Sequence, residues 1–242
     1  MNEIWIPLIL LVVAMLYASV GHGGASGYLA IMALFGFSAE VMRPTALLLN
    51  LFVSGIAFVQ FQRAGHFKWR LFWPFALASM PFAWLGARID LDPLIYERIL
   101  AVCLLVAVAR LLGLFGRGDR PVTLPPPSLA LFIGAVLGLV SGMIGIGGGI
   151  LLSPLLLVFG WSTAKESAGI SAAFIFVNSA SGLIGLGDLS PVLTGHHLLW
   201  IVAVVVGGTI GGRTGALRIT EVRLKQVLSA VLMLASLKLF FA

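Results

Sequence analysis

The sequence predicts an all-α, polytopic membrane protein built from two inverted repeats, each a glycine-broken helix hairpin plus three transmembrane helices. Three observations lead there. Of 242 residues, 60% are hydrophobic and only 10% are charged, against roughly 25% charged in an ordinary soluble domain. The apolar residues form runs approaching the ~20 residues that a helix needs to cross a bilayer. Two similar glycine clusters, Gly21-His22-Gly23-Gly24 and Gly145-Ile146-Gly147-Gly148, stand 145 − 21 = 124 residues apart.

Taken in order, the first run is Ile4–Val20. Glu3 and the lack of a basic stretch before it favour a membrane segment over a cleavable signal. The first glycine cluster follows, and then Tyr28–Phe37, too short to cross alone. Pro44–Phe61, Leu71–Ala87 and Leu94–Phe115 complete a first repeat, residues 1–115. The polar stretch containing Pro125-Pro126-Pro127 reads as a cytoplasmic linker over 116–128. A second repeat, 129–242, then runs through Leu129–Val140, the second cluster, the short Ile150–Trp161, Ser167–Ile184, Leu198–Ile210 and Val227–Phe241. Further pairs keep the same order: Phe35-Gly36-Phe37-Ser38 with Phe159-Gly160-Trp161-Ser162, Asn50 with Asn178, Gly65-His66 with Gly195-His196, Arg88-Ile89 with Arg218-Ile219, and Arg110 with Lys238.

The net charge of +6 sits between apolar runs, which indicates cytoplasmic loops rather than a nucleic-acid surface. Arg63, Lys68 and Arg70 mark one such loop, Arg110, Arg117 and Arg120 a second, and Arg213, Arg218, Arg223 and Lys225 a third. Asp90, Asp92, Glu97 and Asp188 fall on the opposite side. Counting crossings between these marks gives matching segments opposite directions, with the Lys165-Glu166 loop on the basic side. Each unit must then cross an odd number of times, so each glycine-broken segment enters and returns on one side. Assembly as a homodimer is left open.

The glycine clusters carry the functional signal. Irregular backbone survives at membrane depth only where it is buried in protein or lines a cavity. Paired breaks, each opening a half-helix, mark a substrate site near the midplane. The free N–H groups and the positive end of a half-helix favour an anion. Gly23, Gly24, Gly147, Gly148 and Gly149 are the candidate anion-binding backbone. The structural alternative is close helix packing through small residues. His22 replaces Ile146 of the second cluster and is the candidate for proton coupling; alternatively it is a neutral histidine satisfied by a carbonyl. Asn50 and Asn178 are candidate substrate ligands, since an amide donates hydrogen bonds without bringing in charge; helix–helix bonding is their alternative. Thr45 and Ser171 are weaker candidates of the same kind.

Other polar residues read as structural. Arg88, Arg218, Arg110 and Lys238 lie near segment ends and are expected to snorkel to the interface. Glu40, Arg43, Lys165 and Glu166 are expected to cap short loops. Trp5, Trp69, Trp73, Trp84 and Trp200 fit interfacial belts. Cys103 is the one cysteine and reads as a packing residue. No apolar run has an acidic residue at its centre, and no HExxH pair or P-loop lysine motif occurs. His196-His197 is a poor metal clamp, because adjacent helical residues face different directions. Neither a metal nor a cofactor is expected, nor is an enzyme.

Ser19-Val20-Gly21-His22-Gly23-Gly24 and Ser141-Gly142-Met143-Ile144-Gly145-Ile146-Gly147-Gly148-Gly149, the latter followed by Ser153-Pro154, resemble the sulfite exporter TauE/SafE family. The resemblance covers nearly the whole chain, and the second glycine block is its specific part. The first block departs at His22 and at Ala25-Ser26-Gly27. The resemblance implies transport of sulfite, sulfonates or related organic acids across the bacterial inner membrane, driven by the proton gradient. The residues themselves speak for a small anion held between two broken helices and moved by alternating access. A passive anion channel, and a non-transporting membrane subunit of a partner complex, are the competing readings.

Overall fold

The computed structural model describes residues 5–114, 123–188, 195–217 and 232–240. Every described element longer than a turn is a helix: α1 (Trp5–Ser19), α2 (Ala25–Leu34), α3 (Ala39–Arg63), α4 (Trp69–Ala87), α5 (Pro93–Leu111), α6 (Pro127–Ile144), α7 (Gly149–Val158), α8 (Ala164–Leu186) and α9 (Gly195–Leu217). Residues 232–240 are helical too. Among the described residues, each expected apolar run overlaps one helix. α3, α4, α6, α8 and α9 outrun their apolar stretches, because polar residues at their ends satisfy the terminal backbone. α8 begins at a reciprocal cap, in which Thr163 Oγ1 accepts from Glu166 N–H and Glu166 accepts from Thr163 N–H. Asp92 caps α5, whose first residue is a proline. Arg117, Arg120, Arg218, Arg223, Lys225 and most of the 116–128 linker lie outside the described residues.

α3, α6, α8 and α9 are long and apolar enough to cross a bilayer. Their outer faces are unlike those of a soluble protein: Phe132 is 67% exposed, Ile184 70% and, on α4, Leu77 62%. Such surface needs lipid around it. Trp5 and Trp69 are exposed, as interfacial belts require, and Arg88 lies 3.8 Å above the Trp84 ring. Trp200 departs from the expectation. It is buried, packed edge-on to Phe37 and tilted against His197, so its ring belongs to the core. Cys103 is buried in the largest apolar cluster, as a packing residue would be.

The two halves interlock. α4 lies parallel to α6, with Gly134, Gly138 and Gly142 of α6 pressed in turn on the backbone of Phe75, Ser79 and Ala83. α1 lies parallel to α9, where Gly207, Gly211 and Gly215 meet the backbone of Leu11, Met15 and Ser19 in the same way. Both stripes repeat every four residues, so they form one helix face on which two backbones approach closely. α3 and α8 cross at the centre in opposite directions: Leu47 meets Gly182, Gly55 meets Phe176, and Phe61 meets Gly169. Neighbour relations recur across the halves. α4–α6 answers α1–α9, α4–α8 answers α3–α9, and α7–α8 answers α2–α3.

The ends of the bundle differ in charge. Lys68 Nζ is 3.4 Å from Glu166 Oε1, and the His66 carbonyl abuts Gly169. Thr123 N–H donates to the Gly160 carbonyl at 3.1 Å. The Lys165-Glu166 loop therefore shares an end with Arg63, Lys68 and the close of the linker, as crossing parity requires. At the other end the buried Arg43 donates through Nη2 to the Ala87 carbonyl (2.9 Å) and the Gly142 carbonyl (3.4 Å), joining the ends of α4 and α6.

Candidate functional site

α2 and α7 are the half-helices that the glycine clusters predict. Each has 10 residues, and their starts are 149 − 25 = 124 residues apart. Each begins at a glycine with positive φ, Gly24 at 98° and Gly148 at 73°. Side chains rarely adopt that backbone, so glycine is needed there to turn the chain out of α1 or α6 and into the half-helix. The two tips meet at the α3–α8 crossing. A Cβ at Gly23 would strike the Asn50 amide oxygen and approach Ile175; one at Gly147 would come within 2.9 Å of Asn50 Nδ2 and 2.8 Å of Ile175 Cγ2.

Asn50 joins the two breaks. Its Oδ1 accepts from Ala25 N–H (2.9 Å) at the start of α2, and its Nδ2 donates to the Ile146 carbonyl (3.3 Å) in the second break. The side chain is fully buried. Both its polar atoms are thus bound to backbone, and the amide fastens one half-helix tip to the other break. The expected equivalence with Asn178 also shifts. α3 starts at 39 and α8 at 164, a spacing of 164 − 39 = 125, which sets Asn50 opposite Ile175. Ile175 occupies that position physically, since it too touches Gly23 and Gly147. Asn178 lies one helical turn beyond.

The first break is closed by its own side chains. Tyr28 Oη donates to the Gly23 carbonyl (2.9 Å), and Ser26 Oγ donates to Tyr17 Oη (2.7 Å). Buried His22 contacts the Val20 carbonyl through Nδ1 (2.9 Å) and Ser153 Oγ of α7 through Nε2 (3.1 Å). A carbonyl only accepts, so Nδ1 carries a proton here.

The second break is different. Ser171, Phe174, Ile175, Asn178 and Ser179 share one face of α8, and that face lies on Gly147–Gly149. A Cβ at Gly147 would be 3.1 Å from Ser179 Oγ, and one at Gly148 would be 3.2 Å from Ser141 Cβ. Ser141, Ser171, Asn178 and Ser179 are all fully buried. Their hydroxyls, and both amide atoms of Asn178, have no hydrogen-bond partner among the described residues. Buried polar groups seldom stay unpaired, at about 1–3 kcal/mol each. Donors therefore gather at the positive end of α7, and Ser141 and Ser179 join the predicted Asn178, Gly147, Gly148 and Gly149. Ser171 is the weaker candidate and sits on the same face; Thr45 lies apart, 3.4 Å from His197 Nε2.

Arg110 does not snorkel, whereas Lys238 is exposed at the end of the bundle. Arg110 Nε donates to Ser153 Oγ (3.0 Å), and Lys238 Nζ donates to the Ala33 and Leu34 carbonyls (2.8 and 3.2 Å) at the end of α2. Arg110 turns inward onto α7, and the exposed Lys238 bonds the carbonyl end of α2. Cavities lie near both ends of α3. One of about 500 Å³ is lined by Glu40, Arg43, Asp90, Tyr96, Glu97 and Lys238, and one of about 400 Å³ by Gln60, Arg63, Thr209 and Arg213.

The profile of the family described as "Sulfite exporter TauE/SafE" matches residues 6–239. The chain belongs to the TauE/SafE family. A relative from Sinorhizobium fredii, described as "Probable membrane transporter protein y4hK", is 38% identical over 99% of both chains. A "Probable membrane transporter protein" of Xylella fastidiosa is 31% identical over 65% of this chain and 61% of its own. Bacillus subtilis YunE, with the same description, is 32% identical over 37% of this chain and 31% of its own. No solved structure matches. Family and relatives make this TauE/SafE protein a multi-pass membrane transporter. The second glycine break, the part on which the sequence resemblance chiefly rests, is the one bordered by hydroxyls with no hydrogen-bond partner among the described residues. Ser141 belongs to that block; Ser179 was legible only as a small polar neighbour of Asn178.

Proposed function

We propose that this protein is a secondary transporter of a small oxyanion, and that sulfite, a sulfonate or a related organic acid is its substrate. The site is the N-terminus of α7 with Ser141, Asn178 and Ser179. The observation that carries this reading is the set of fully buried donors near a helix N-terminus that have no hydrogen-bond partner among the described residues. A negative oxygen satisfies amide, hydroxyl and backbone N–H groups together, and the helix dipole favours its charge. The family name supports the sulfur chemistry.

Alternating access across the bacterial inner membrane is the mechanism we assign. Corresponding helices α3 and α8 run in opposite directions, as inverted repeats require. Cavities near both ends of α3 provide a mouth on each side, and the site residues between them are buried. Basic loops assign one end to the cytoplasm. His22, inside the first break, couples transport to protons. A second proton on Nε2 would make that nitrogen a donor toward Ser153 Oγ, so the hydroxyl must turn away.

Uptake into proteoliposomes tests this. An imposed pH gradient should drive sulfite above its equilibrium level with the wild-type protein. His22→Gln should still equilibrate sulfite but lose that accumulation. If His22→Gln accumulates sulfite as the wild type does, the proton is carried elsewhere. If the wild type only equilibrates every anion offered, the protein is a channel.

A further inference from the structure

We infer that Arg110 and Ser153 form a second station for the anion, between the glycine breaks and the basic end of the bundle. This rests on the anion-transport reading above. Arg110 Nε donates to Ser153 Oγ at 3.0 Å, and Ser153 Oγ lies 3.1 Å from His22 Nε2. The three residues come from α5, α7 and the α1–α2 break. Ser153 is fully buried, His22 is 2% exposed, and Arg110 is half-buried. A cation within an apolar segment marks a substrate or ion path unless it is spent on structure. Lys238, at the matching place, is spent in that way, because it caps α2 by two carbonyl bonds. Arg110 bonds a hydroxyl instead, and the rest of its guanidinium makes no hydrogen bond to the described residues.

Repeat symmetry separates this cluster from the scaffold. Shifted by 124 residues, His22 falls on Ile146 and Ser153 falls on Leu29. Both counterparts are apolar, so the fold does not need the polar chain. The polar chain lies a few residues along α7 from the anion site and on its basic side. A planar guanidinium with free N–H groups fits an oxyanion bidentately. The station takes the anion's charge while the glycine-break site empties or fills.

The test is sulfite uptake by the full chain in proteoliposomes, with Arg110→Gln and Arg110→Lys compared with the wild type. Arg110→Gln should raise KM at least tenfold, about the worth of one charge-assisted hydrogen bond. It should keep the detergent melting temperature, and Arg110→Lys should recover most of the loss. Ser153→Ala should raise KM less, because the charge remains. Wild-type KM in Arg110→Gln would overturn the station. Equal losses in both Arg110 variants with a lowered melting temperature would overturn it too, as a structural role. A wild-type protein that moves none of the oxyanions would overturn the anion reading and the station with it.

Discussion

Gly211→Leu is expected to leave no folded protein. Gly211 lies against the Met15 backbone in the α1–α9 contact, where even a Cβ would overlap a main-chain carbonyl. A backbone cannot swing aside as a side chain can, so the helices must separate. Overpacking a core by a few methylenes already costs about 1–3 kcal/mol. A leucine at a backbone-to-backbone contact exceeds that and removes the neighbouring contacts at Gly207 and Gly215 as well. Size-exclusion chromatography of the detergent-solubilised variant should show aggregate in place of a single peak. Gly187→Leu is the control, since nothing lies within 4 Å of a Cβ there and its positive φ of 74° adds only local strain. A monodisperse Gly211→Leu would mean that the two halves do not depend on this seam.

Asn178→Leu should give the opposite result, a protein that folds better and transports nothing. Asn178 is fully buried with neither amide atom bonded among the described residues. Replacing such a group by an apolar one of similar size is nearly neutral or stabilising, by up to about 1–3 kcal/mol. That corresponds to a melting temperature higher by up to about 10 °C for a chain of this size. Sulfite uptake should fall to the background of empty liposomes. A scaffold asparagine predicts the reverse, with lower stability and transport reduced only in proportion to folded protein. A melting curve and an uptake assay on one preparation separate the two.

The helices were legible because apolar runs and punctuating glycines are local signals. α2 and α7 fall where the clusters at Gly21 and Gly145 place them, and the Lys68–Glu166 pair puts the 165–166 loop at the basic end. The role of Asn50 was not legible. Whether an amide faces a ligand or a main chain depends on contacts of residue 50 with residues 25 and 146, which no local pattern encodes. Pairing Asn50 with Asn178 failed for a similar reason. Like residues attract the eye, but helix starts set the register, and Ile175 holds the matching place. Gly134, Gly138 and Gly142, like Gly207, Gly211 and Gly215, form seams whose partner helices their spacing does not name. Arg110 was misread because distance to a segment end says nothing of a hydroxyl on another helix.

The binding of an anion at the α7 tip is tested most directly by ligand-induced thermal stabilisation of the purified protein. Sulfite, sulfate, thiosulfate, taurine, sulfoacetate and simple carboxylates would each be titrated against the wild type and Ser179→Ala. A ligand that binds only the folded state stabilises it by about 2.7 kcal/mol at one hundred times its Kd. A selective rise in melting temperature with one or more sulfur oxyanions, lost or strongly weakened in a folded Ser179→Ala, is the expected result. A folded wild type unmoved by every anion, or a Ser179→Ala that responds as the wild type does, would contradict an anion site at the second glycine break.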